Sequence, residues 1–470
     1  MMSQLSYHKI LNKYPSIKNE SLRSEISEIL RNQNIKLIIL DDDPTGIQTV
    51  HDCLLLTNWK SENLATAFCD STPFFYILAN TRSMTSFDSE RITREVMNAV
   101  LETNKAFGFR LIFISRSDST LRGHFPLEPK TMHEVLVEYG QPVVLPTFFI
   151  PSFLEAGRFT INQVHYMKDG DDLIPVGETE FAADNVFGYK SSNLIDYISE
   201  KTKGEIDKEN IGWISLETLR NDNAEELVLK IKGLIKKNYI IVDALDYCDL
   251  EIFSKSFLTL YSKLDTYAVL RTSSSMPKAM SGISDIDLLY KENLSLKDGV
   301  GLVVVGSHVK KSTIQLQHLL ENKNVEGVEI NINRILEQYD KLLTEISGTL
   351  KNIKNKGLTP VIYTSRQELR LEDTAKRLEI GQKISAFLVK LVSELPFTPS
   401  FIIAKGGITS HDILTKGLDI EIAGVKGQII PGVPVLCTDS KHKFPDMPYI
   451  IFPGNVGDEN GLVTVLEKLT

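Results

Sequence analysis

The chain has 470 residues, of which 42% are hydrophobic and 24% charged, and it carries a net charge of −9. This length indicates roughly two to three domains, and the acidic balance disfavours a nucleic-acid or anionic-membrane surface. The four cysteines include no CxxC pair, the N-terminus is too polar for a signal peptide, and no apolar run reaches about 20 residues, so we expect a soluble, cytoplasmic protein without a zinc site or disulfide framework.

Short apolar runs alternate with amphipathic stretches along the first part of the chain. Within an N-terminal extension of about residues 1–33, the spacing of apolar side chains predicts a helix over Ser21–Leu30. Strands are predicted at Lys36–Leu40, Phe74–Leu78, Arg110–Ser115, Pro142–Leu145, Tyr239–Ala244 and Thr266–Leu270. Continuous apolar strands that alternate with helices are typical of a mostly parallel sheet covered on both faces.

A second series of the same kind begins after a polar stretch near residue 295. Strands are predicted there at Gly301–Val305, Gly327–Ile332, Pro360–Tyr363 and Phe401–Ala404. We therefore predict two α/β domains with mostly parallel sheets, residues 1–295 and 296–470, and an active-site cleft between them. Ligands bind such sheets at the carboxyl ends of the strands, so residues directly after each apolar run are the first site candidates.

Three adjacent aspartates follow the first predicted strand, in the loop Asp41–Gly46. Neighbouring carboxylates repel each other, so they need a metal ion, a cluster of donors or a shared proton. In a functional interpretation, Asp42 or Asp43 removes a proton from a substrate hydroxyl and Thr45 contacts the substrate. In the structural alternative, the loop is an Asx turn that caps a following helix.

Arginines follow the next two predicted strands. Arg82 comes after Phe74–Leu78, and both Asp118 and Arg122 lie in the loop after Arg110–Ser115. A guanidinium matches a carboxylate bidentately, so Arg82 and Arg122 are suited to an acidic substrate. Alternatively, these arginines pair with the aspartates of the first loop, and both interpretations can hold together.

Glycine-containing loops follow the strands of the second predicted domain. Glycine lets a ligand approach the backbone closely, and a helix N-terminus favours a phosphate. The candidates for nucleotide binding are Gly306, Ser307, Lys405, Gly406, Gly407, Ile408, Thr409, Gly432 and Gly454. Any one of these loops can equally be a tight turn, so the prediction depends on the whole set. The sequence contains no GxxxxGK[ST] or GxGxxG motif, which disfavours P-loop and dinucleotide enzymes.

At these loops the sequence resembles the four-carbon acid sugar kinase family, over about residues 36–465. The family motif DSTLRG is matched letter for letter by Asp118–Gly123. In the first predicted domain, Asp42–Ile47 resembles the family motif DDxTGA and Gly157–Thr160 resembles its GR turn. In the second, Gly306-Ser307 resembles the family's GS after a strand and Gly406–Thr409 resembles its GGxT motif. The chain departs from the family pattern at Pro44 and Ile47, where many members have Leu and Ala, and at Ile408, where an acidic residue is common.

The resemblance implies a sugar-acid-binding N-terminal domain and a nucleotide-binding C-terminal domain. It implies an ATP-dependent phosphotransferase with an alcohol acceptor, acting on threonate, erythronate or 3-oxo-tetronate, with Mg²⁺ held mainly by the ATP phosphates. Ser307, Gly406–Thr409 and Gly454 would contact ATP. The residues that would face the acid are Asp42, Asp43, Arg82, Asp118 and Arg122.

Two other interpretations stay open from the sequence. One is a non-catalytic sensor that binds a sugar acid or a nucleotide, and the other is a kinase for a different small hydroxy acid. A dehydrogenase or aldolase is disfavoured, since the sequence has no fingerprint for NAD or for a Schiff-base lysine. The expected partners are the sugar acid and ATP, with a homodimer left open.

Overall fold

The structure is a computed structural model that describes residues 5–17, 19, 21–140, 144–365 and 374–470. The chain forms two compact units. The first comprises Met1–Gly46 and Asn58–Asp285, and the second comprises Ile47–Thr57 and Ile286–Thr470. The chain thus enters the second unit for one short segment, returns to the first, and enters the second again after Asp285.

Strands and helices are numbered in chain order. The strands are β1 Leu5–Ser6, β2 Ile35–Asp41, β3 Cys53–Leu56, β4 Phe74–Leu78, β5 Arg110–Arg116, β6 Thr147–Ile150, β7 Arg158–Ile161, β8 Val164–Asp169, β9 Asp172–Pro175, β10 Ile211–Ile214, β11 Tyr239–Val242, β12 Ala268–Thr272, β13 Leu302–Val305, β14 Val325–Ile330, β15 Thr359–Thr364, β16 Ile402–Lys405, β17 Ile422–Ile430, β18 Val433–Thr438 and β19 Pro448–Phe452. The helices are α1 Tyr7–Lys13, α2 Leu22–Asn32, α3 Ser61–Cys69, α4 Ser86–Asn104, α5 Leu127–Glu138, α6 Leu194–Lys201, α7 Leu216–Asn221, α8 Ala224–Leu234, α9 Tyr247–Tyr261, α10 Ser275–Ser281, α11 Lys310–Leu320, α12 Ile332–Glu337, α13 Tyr339–Asn355, α14 Thr374–Ser393, α15 Gly407–Asp412 and α16 Gly461–Leu469.

The main sheet of the first unit has the order β10-β11-β6-β12-β5-β2-β4, and each of these neighbouring pairs is parallel. All residues of β2, β4, β11 and β12 are buried. This double-sided burial explains why these strands are nearly continuous apolar runs rather than alternating ones. Because the strands run in the same direction, the loops that follow them lie at one edge of the sheet.

A small antiparallel sheet in the first unit has the order β1-β9-β8-β7. Strand β1 and helix α1 belong to the N-terminal extension, and the ring of Tyr7 stacks on Phe159 of β7 with centroids 5.2 Å apart. The predicted helix over Ser21–Leu30 is confirmed as α2, whose residues Leu22, Ile26 and Leu30 are buried. The extension is therefore packed into the first unit.

The sheet of the second unit is mixed. Strands β3, β17, β18 and β19 pair antiparallel in that order, and β19, β16, β13, β15 and β14 continue as a parallel sheet. Strand β3 belongs to the segment Ile47–Thr57, and Cys53–Leu56 pairs with Ile422–Val425 of β17. The core beside this sheet includes Val303, Ile403 and Phe452, all without exposed surface.

The predicted α/β class, with two domains and mostly parallel sheets, is confirmed by these elements. The active-site cleft between the domains stays a prediction. Among the described helices, none has both the length and the apolar composition that crossing a bilayer requires.

Of the predicted strand Pro142–Leu145, the residues Pro142 and Val143 lie outside the described part of the chain, and the described residues Val144 and Leu145 do not belong to a strand. The strand at this place is β6, which begins at Thr147, while Val144 makes only an isolated bridge to Tyr267. Pro146 between them has no N–H to donate, so it separates the bridge from the ladder. The apolar pattern continued across this proline, and the sequence analysis therefore placed the strand too early.

Candidate functional site

The predicted acid-binding residues meet at the carboxyl edge of the main sheet in the first unit. Asp41 ends β2, Arg82 lies in the loop after β4, and Asp118 lies in the loop after β5. Backbone hydrogen bonds fix these loops together, since the N–H of Asp42 donates to the carbonyl of Arg116 at 3.2 Å and the N–H of Arg82 donates to the carbonyl of Asp42 at 3.2 Å. We call Asp41, Asp42, Asp43, Arg82, Arg116, Asp118 and Arg122 the acidic-edge cluster.

A buried ion pair between Asp41 and Arg116 lies at the base of this cluster. Nη1 of Arg116 donates to Oδ1 of Asp41 at 3.0 Å and lies 3.8 Å from Oδ1 of Asp42, and Nη2 donates to the hydroxyl of Ser274 at 2.7 Å. The exposed fraction of either side chain in the pair is at most 5%. Burial raises the pKa of Asp41 to about 7, although Arg116 acts in the opposite direction.

Two carboxylate oxygens in this buried region, Oδ2 of Asp41 and Oδ1 of Asp42, accept no hydrogen bond from the described residues. The other oxygen of Asp42 accepts a hydrogen bond from the hydroxyl of Ser117 at 2.5 Å. Because buried polar atoms in native proteins are almost always hydrogen-bonded, such oxygens indicate a site with unused acceptor capacity.

Asp43 has more exposed surface than Asp42, 20% against 2% of the side chain. Its Oδ1 accepts hydrogen bonds from both the N–H of Thr45, at 2.8 Å, and the hydroxyl of Thr45, and its Oδ2 pairs with Arg82. The Asx turn expected from the sequence is therefore present at Asp43. The helix expected after it is not, since residues 44–49 form successive turns before β3.

The two arginines predicted to clamp a substrate carboxylate are already paired with aspartates. Besides Asp43, Arg82 faces Oδ1 of Asp118 at 3.4 Å, and Arg122 donates to both oxygens of Asp118, at 2.8 and 3.2 Å. Burial alone would raise the pKa of Asp118, but the guanidinium groups of Arg82 and Arg122 outweigh it and hold this pKa well below its usual range. The alternative of pairing with the first loop is therefore observed for Arg82, whereas Arg122 pairs with Asp118 of its own loop.

The segment between β9 and α6 holds the loop of Asp118. The guanidinium of Arg122 lies 4.8 Å from the ring centroid of Phe181 and 3.9 Å from a carboxylate oxygen of Asp184, and the hydroxyl of Tyr189 donates to the carbonyl of Thr120 at 2.7 Å. These contacts fix the orientation of Arg122.

Two arginines that were not among the predicted site residues, Arg116 and Arg271, also belong to this edge, and a third, Arg158, lies in the small antiparallel sheet. Arg116 is the last residue of β5, and Arg271 in β12 donates to the hydroxyl of Ser115 at 2.7 Å and pairs with Glu128. Arg158 begins β7. Arg116 and Arg271 could have been selected from the sequence, because each is a charged residue in an otherwise apolar run. Such a residue is costly to bury without a partner.

Most of the predicted nucleotide-binding loops meet at the carboxyl edge of the parallel strands in the second unit. Gly306 and Ser307 follow β13, Gly406 follows β16, and Gly454 lies after β19. A Cβ on Gly306 would lie 2.1 Å from Oγ1 of Thr409, one on Gly406 would lie 3.0 Å from Cβ of Ser307, and one on Gly454 would lie 3.2 Å from Oγ of Ser307. The glycines are therefore required for the close approach of these loops. We call them, with Ser307, Thr409 and Lys405, the glycine bed.

Lys405 ends β16 and is fully buried in the glycine bed. Its Nζ donates to the carbonyls of Pro453 at 2.8 Å and Gly454 at 3.3 Å, and it lies 3.9 Å from the ring centroid of Phe452. Burial, helped by the positive charge of Lys311, lowers the pKa of Lys405 to about 7.

The remaining predicted nucleotide-binding residues lie at the margin of the bed. Gly407 has open space beside its Cα, and the exposed fraction of Ile408 is 73%. The N–H of Gly432 donates to Oε1 of Gln428 at 2.6 Å, and a Cβ on Gly432 would lie 3.1 Å from Val456. Gly432 thus packs against the loop that carries Gly454. Within the described residues, no three metal-ligating side chains form a group that could hold a metal ion.

Family models match both parts of the chain. Residues 37–280 match a sugar-binding N-terminal domain, and residues 302–462 match a nucleotide-binding C-terminal domain. The comparison with curated proteins finds no match.

Two solved structures have a similar fold. A Haemophilus influenzae protein from a domain family of unknown function is 15% identical, with a TM-score of 0.67 over 92% of this chain and 100% of its own. A Salmonella typhimurium LT2 protein provisionally described as a tRNA synthase is 16% identical, with a TM-score of 0.67 over 91% of this chain and 98% of its own. At these identities the likeness shows the fold alone.

Replacing Arg116 with Met should lower the free energy of unfolding by about 3–5 kcal/mol at pH 8, since it leaves the buried Asp41 and Asp42 without their cation. The folded-state pKa of Asp41, about 7, lies above its ordinary value of 3.8, so this carboxyl takes up a proton on folding below pH 7. The loss should therefore be smaller at pH 5 than at pH 8. Urea denaturation at both pH values measures it.

The control is Arg91→Met, which removes an exposed helix arginine paired with Asp88 and Glu95. Its unfolding midpoint should stay close to that of the wild type at both pH values. Equal losses for the two variants would show that the buried pair is not what stabilises this edge.

Proposed function

The chain belongs to the four-carbon acid sugar kinase family, and we propose on this premise that it transfers the γ-phosphoryl group of ATP to a hydroxyl of a four-carbon acid sugar such as threonate, erythronate or 3-oxo-tetronate. The observation that supports the proposal is that one chain contains two different candidate sites, the acidic-edge cluster and the glycine bed. The acidic-edge cluster offers carboxylates and guanidiniums for a polar acid, and the glycine bed offers backbone N–H groups and Lys405 for phosphates.

The acid sugar would bind at the exposed part of the acidic-edge cluster. Asp43 is accessible, whereas Asp42 is almost fully buried and tied to Ser117, so Asp43 is the better candidate to accept the proton of the reacting hydroxyl. Asp42 would then position Asp43 and Arg82 through its backbone and charge. In phosphoryl transfer, positioning and charge stabilisation contribute more than proton removal, because the transition state is loose.

The nucleotide would bind at the glycine bed. The loops of Gly306, Gly406 and Gly454 pack closely together, and Gly407 has open space beside its Cα where a phosphate oxygen could approach the backbone. The Mg²⁺ complex of ATP is the substrate in this proposal, and the ion would neutralise charge on the transferred group.

A screen for ADP release tests the reaction itself. The purified protein with MgATP should release ADP in proportion to phosphorylated product when threonate, erythronate or 3-oxo-tetronate is added, and should release much less with five-carbon aldonic acids. A non-catalytic sensor would bind the acid or the nucleotide without releasing ADP. Release with only a different hydroxy acid would keep the kinase and replace its acceptor.

Changing Asp43 to Asn should lower kcat by about 10²–10⁴-fold, the usual contribution of a positioned general base, and should leave the KM for ATP near the wild-type value. Steady-state kinetics with the best acceptor measures both constants. The matched control is Asp265→Asn, an exposed aspartate shortly before β12 and so at the opposite edge of the sheet. A fully active Asp43→Asn variant would exclude this carboxylate as the base.

ADP binding at pH 8 should take up about one proton at Lys405. This amine is mostly neutral at pH 8 before binding, because its pKa is about 7, and nearby phosphates would stabilise the ammonium form. Calorimetric titrations in buffers of different ionisation enthalpy measure the uptake.

Lys405→Met should remove the uptake. Lys297→Met should retain it, since Lys297 is exposed and also donates to a proline carbonyl, that of Pro445 at 2.8 Å. Unchanged uptake in Lys405→Met would show that this lysine does not contact the phosphates.

A further inference from the structure

Arg158 is a cation beside the acidic-edge cluster that has no carboxylate partner within the described part of the chain. Its Nη1 donates to the carbonyl of Ala156, and its buried Nε has no acceptor among the described residues. By contrast, each arginine of the acidic-edge cluster pairs with at least one aspartate. Arg82 pairs with Asp43 and Asp118, Arg116 with Asp41, and Arg122 with Asp118.

The strand that begins with Arg158 is joined to the Asp118 loop through His165, whose Nδ1 lies 2.9 Å from the hydroxyl of Thr160 in β7 and whose Nε2 lies 2.8 Å from the carbonyl of Ser119. The charges of Asp118 and Arg122 both influence the pKa of Arg158, which burial, the largest cause, lowers from its ordinary value. Burial lowers the pKa of His165 to about 4, and the charge of Arg158 acts in the same direction. Because a guanidinium stays charged in proteins, Arg158 places a positive charge without a direct carboxylate partner among the described residues beside the Asp118 loop.

The backbone around Arg158 is held rigidly. Gly157 has a φ of 68°, and a Cβ there would lie 3.0 Å from Cβ of Lys168, so the turn before β7 needs a glycine. The N–H and carbonyl of Arg158 both pair with Phe153, at 2.9 and 3.1 Å. A guanidinium on such a support is preorganised to bind an anion.

We propose that Arg158 binds the carboxylate of the acceptor acid. Arg82 and Arg122 were predicted from the sequence to have this role, but both guanidiniums are already paired with the aspartates Asp43 and Asp118. The unpaired N–H groups of Arg158 match a carboxylate in geometry and charge, and no described residue supplies one. This inference rests on the proposed function, because it assumes that a short sugar acid occupies the acidic-edge cluster.

The test compares an acid with a neutral analogue in binding and in turnover. Calorimetry without ATP measures the affinity of the protein for erythronate, and steady-state kinetics measures kcat/KM for erythronate and for the uncharged tetritol erythritol. In Arg158→Met, we expect affinity for erythronate to fall roughly 10-fold to 100-fold, as for the loss of a charge-assisted hydrogen bond, while the low activity with erythritol stays unchanged. The KM for ATP should not change.

Two further variants separate charge from packing. Arg158→Lys keeps the positive charge and should therefore recover part of the affinity for erythronate. If Arg158 had only a structural role, restoring the charge would not restore the affinity. Arg31→Met removes an exposed arginine of α2 and should bind erythronate like the wild type.

The results also distinguish this inference from the proposed reaction. Erythronate binding that depends on Arg158, without ADP release from the wild type with any hydroxy acid in the screen, supports the carboxylate site and contradicts the kinase. Equal losses for erythronate and erythritol in Arg158→Met, unchanged binding of erythronate, or no binding of erythronate by the wild type would each overturn the carboxylate site.

Discussion

The candidate acid site depends on the charge balance between its aspartates and arginines. Asp41, Asp42, Asp43 and Asp118 lie at one sheet edge, and their mutual repulsion in a buried region would prevent ionisation without nearby cations. Arg116 supplies this charge from inside β5, where it is almost fully buried. A cation placed on a strand is fixed by the sheet itself, so the geometry of the loops above it follows from the fold.

The two sheet edges use different means of recognition. In the first unit, charged side chains on several loops face each other, which suits a small acid whose carboxylate and hydroxyls must be told apart. In the second unit, glycines at Gly306, Gly406 and Gly454 bring backbone segments into contact, which suits phosphate groups. Substitutions in the acidic-edge cluster would therefore change which acid is bound, whereas a Cβ on a glycine of the glycine bed would displace the backbone of the loops.

Much of the fold was predictable, because strands buried on both faces are continuous apolar runs. Phe74–Leu78 matches β4 residue for residue for this reason. Strand β3 was not predicted, since it pairs with Ile422–Val425, far away in the sequence, and no local pattern encodes that pairing. The positions of Asp43 and Arg82 were predictable, because both residues directly follow buried strands. The lack of an ion-pair partner for Arg158 was not predictable, because it depends on which carboxylates of the folded protein are already paired with other arginines.

The hydrogen bonds of Asp43 suggest how a kinase with this site would avoid transferring the phosphoryl group of ATP to water. Both oxygens of this carboxylate already accept hydrogen bonds, from Thr45 and from Arg82. A carboxylate whose two oxygens are occupied by protein donors is less available to a passing water molecule. An acid sugar whose carboxylate pairs with Arg158 would bring its reacting hydroxyl to Asp43, where that hydroxyl would replace the hydroxyl of Thr45 as a hydrogen-bond donor. On the proposed reaction, charge pairing at this edge therefore couples the activation of the base to the arrival of the correct acceptor.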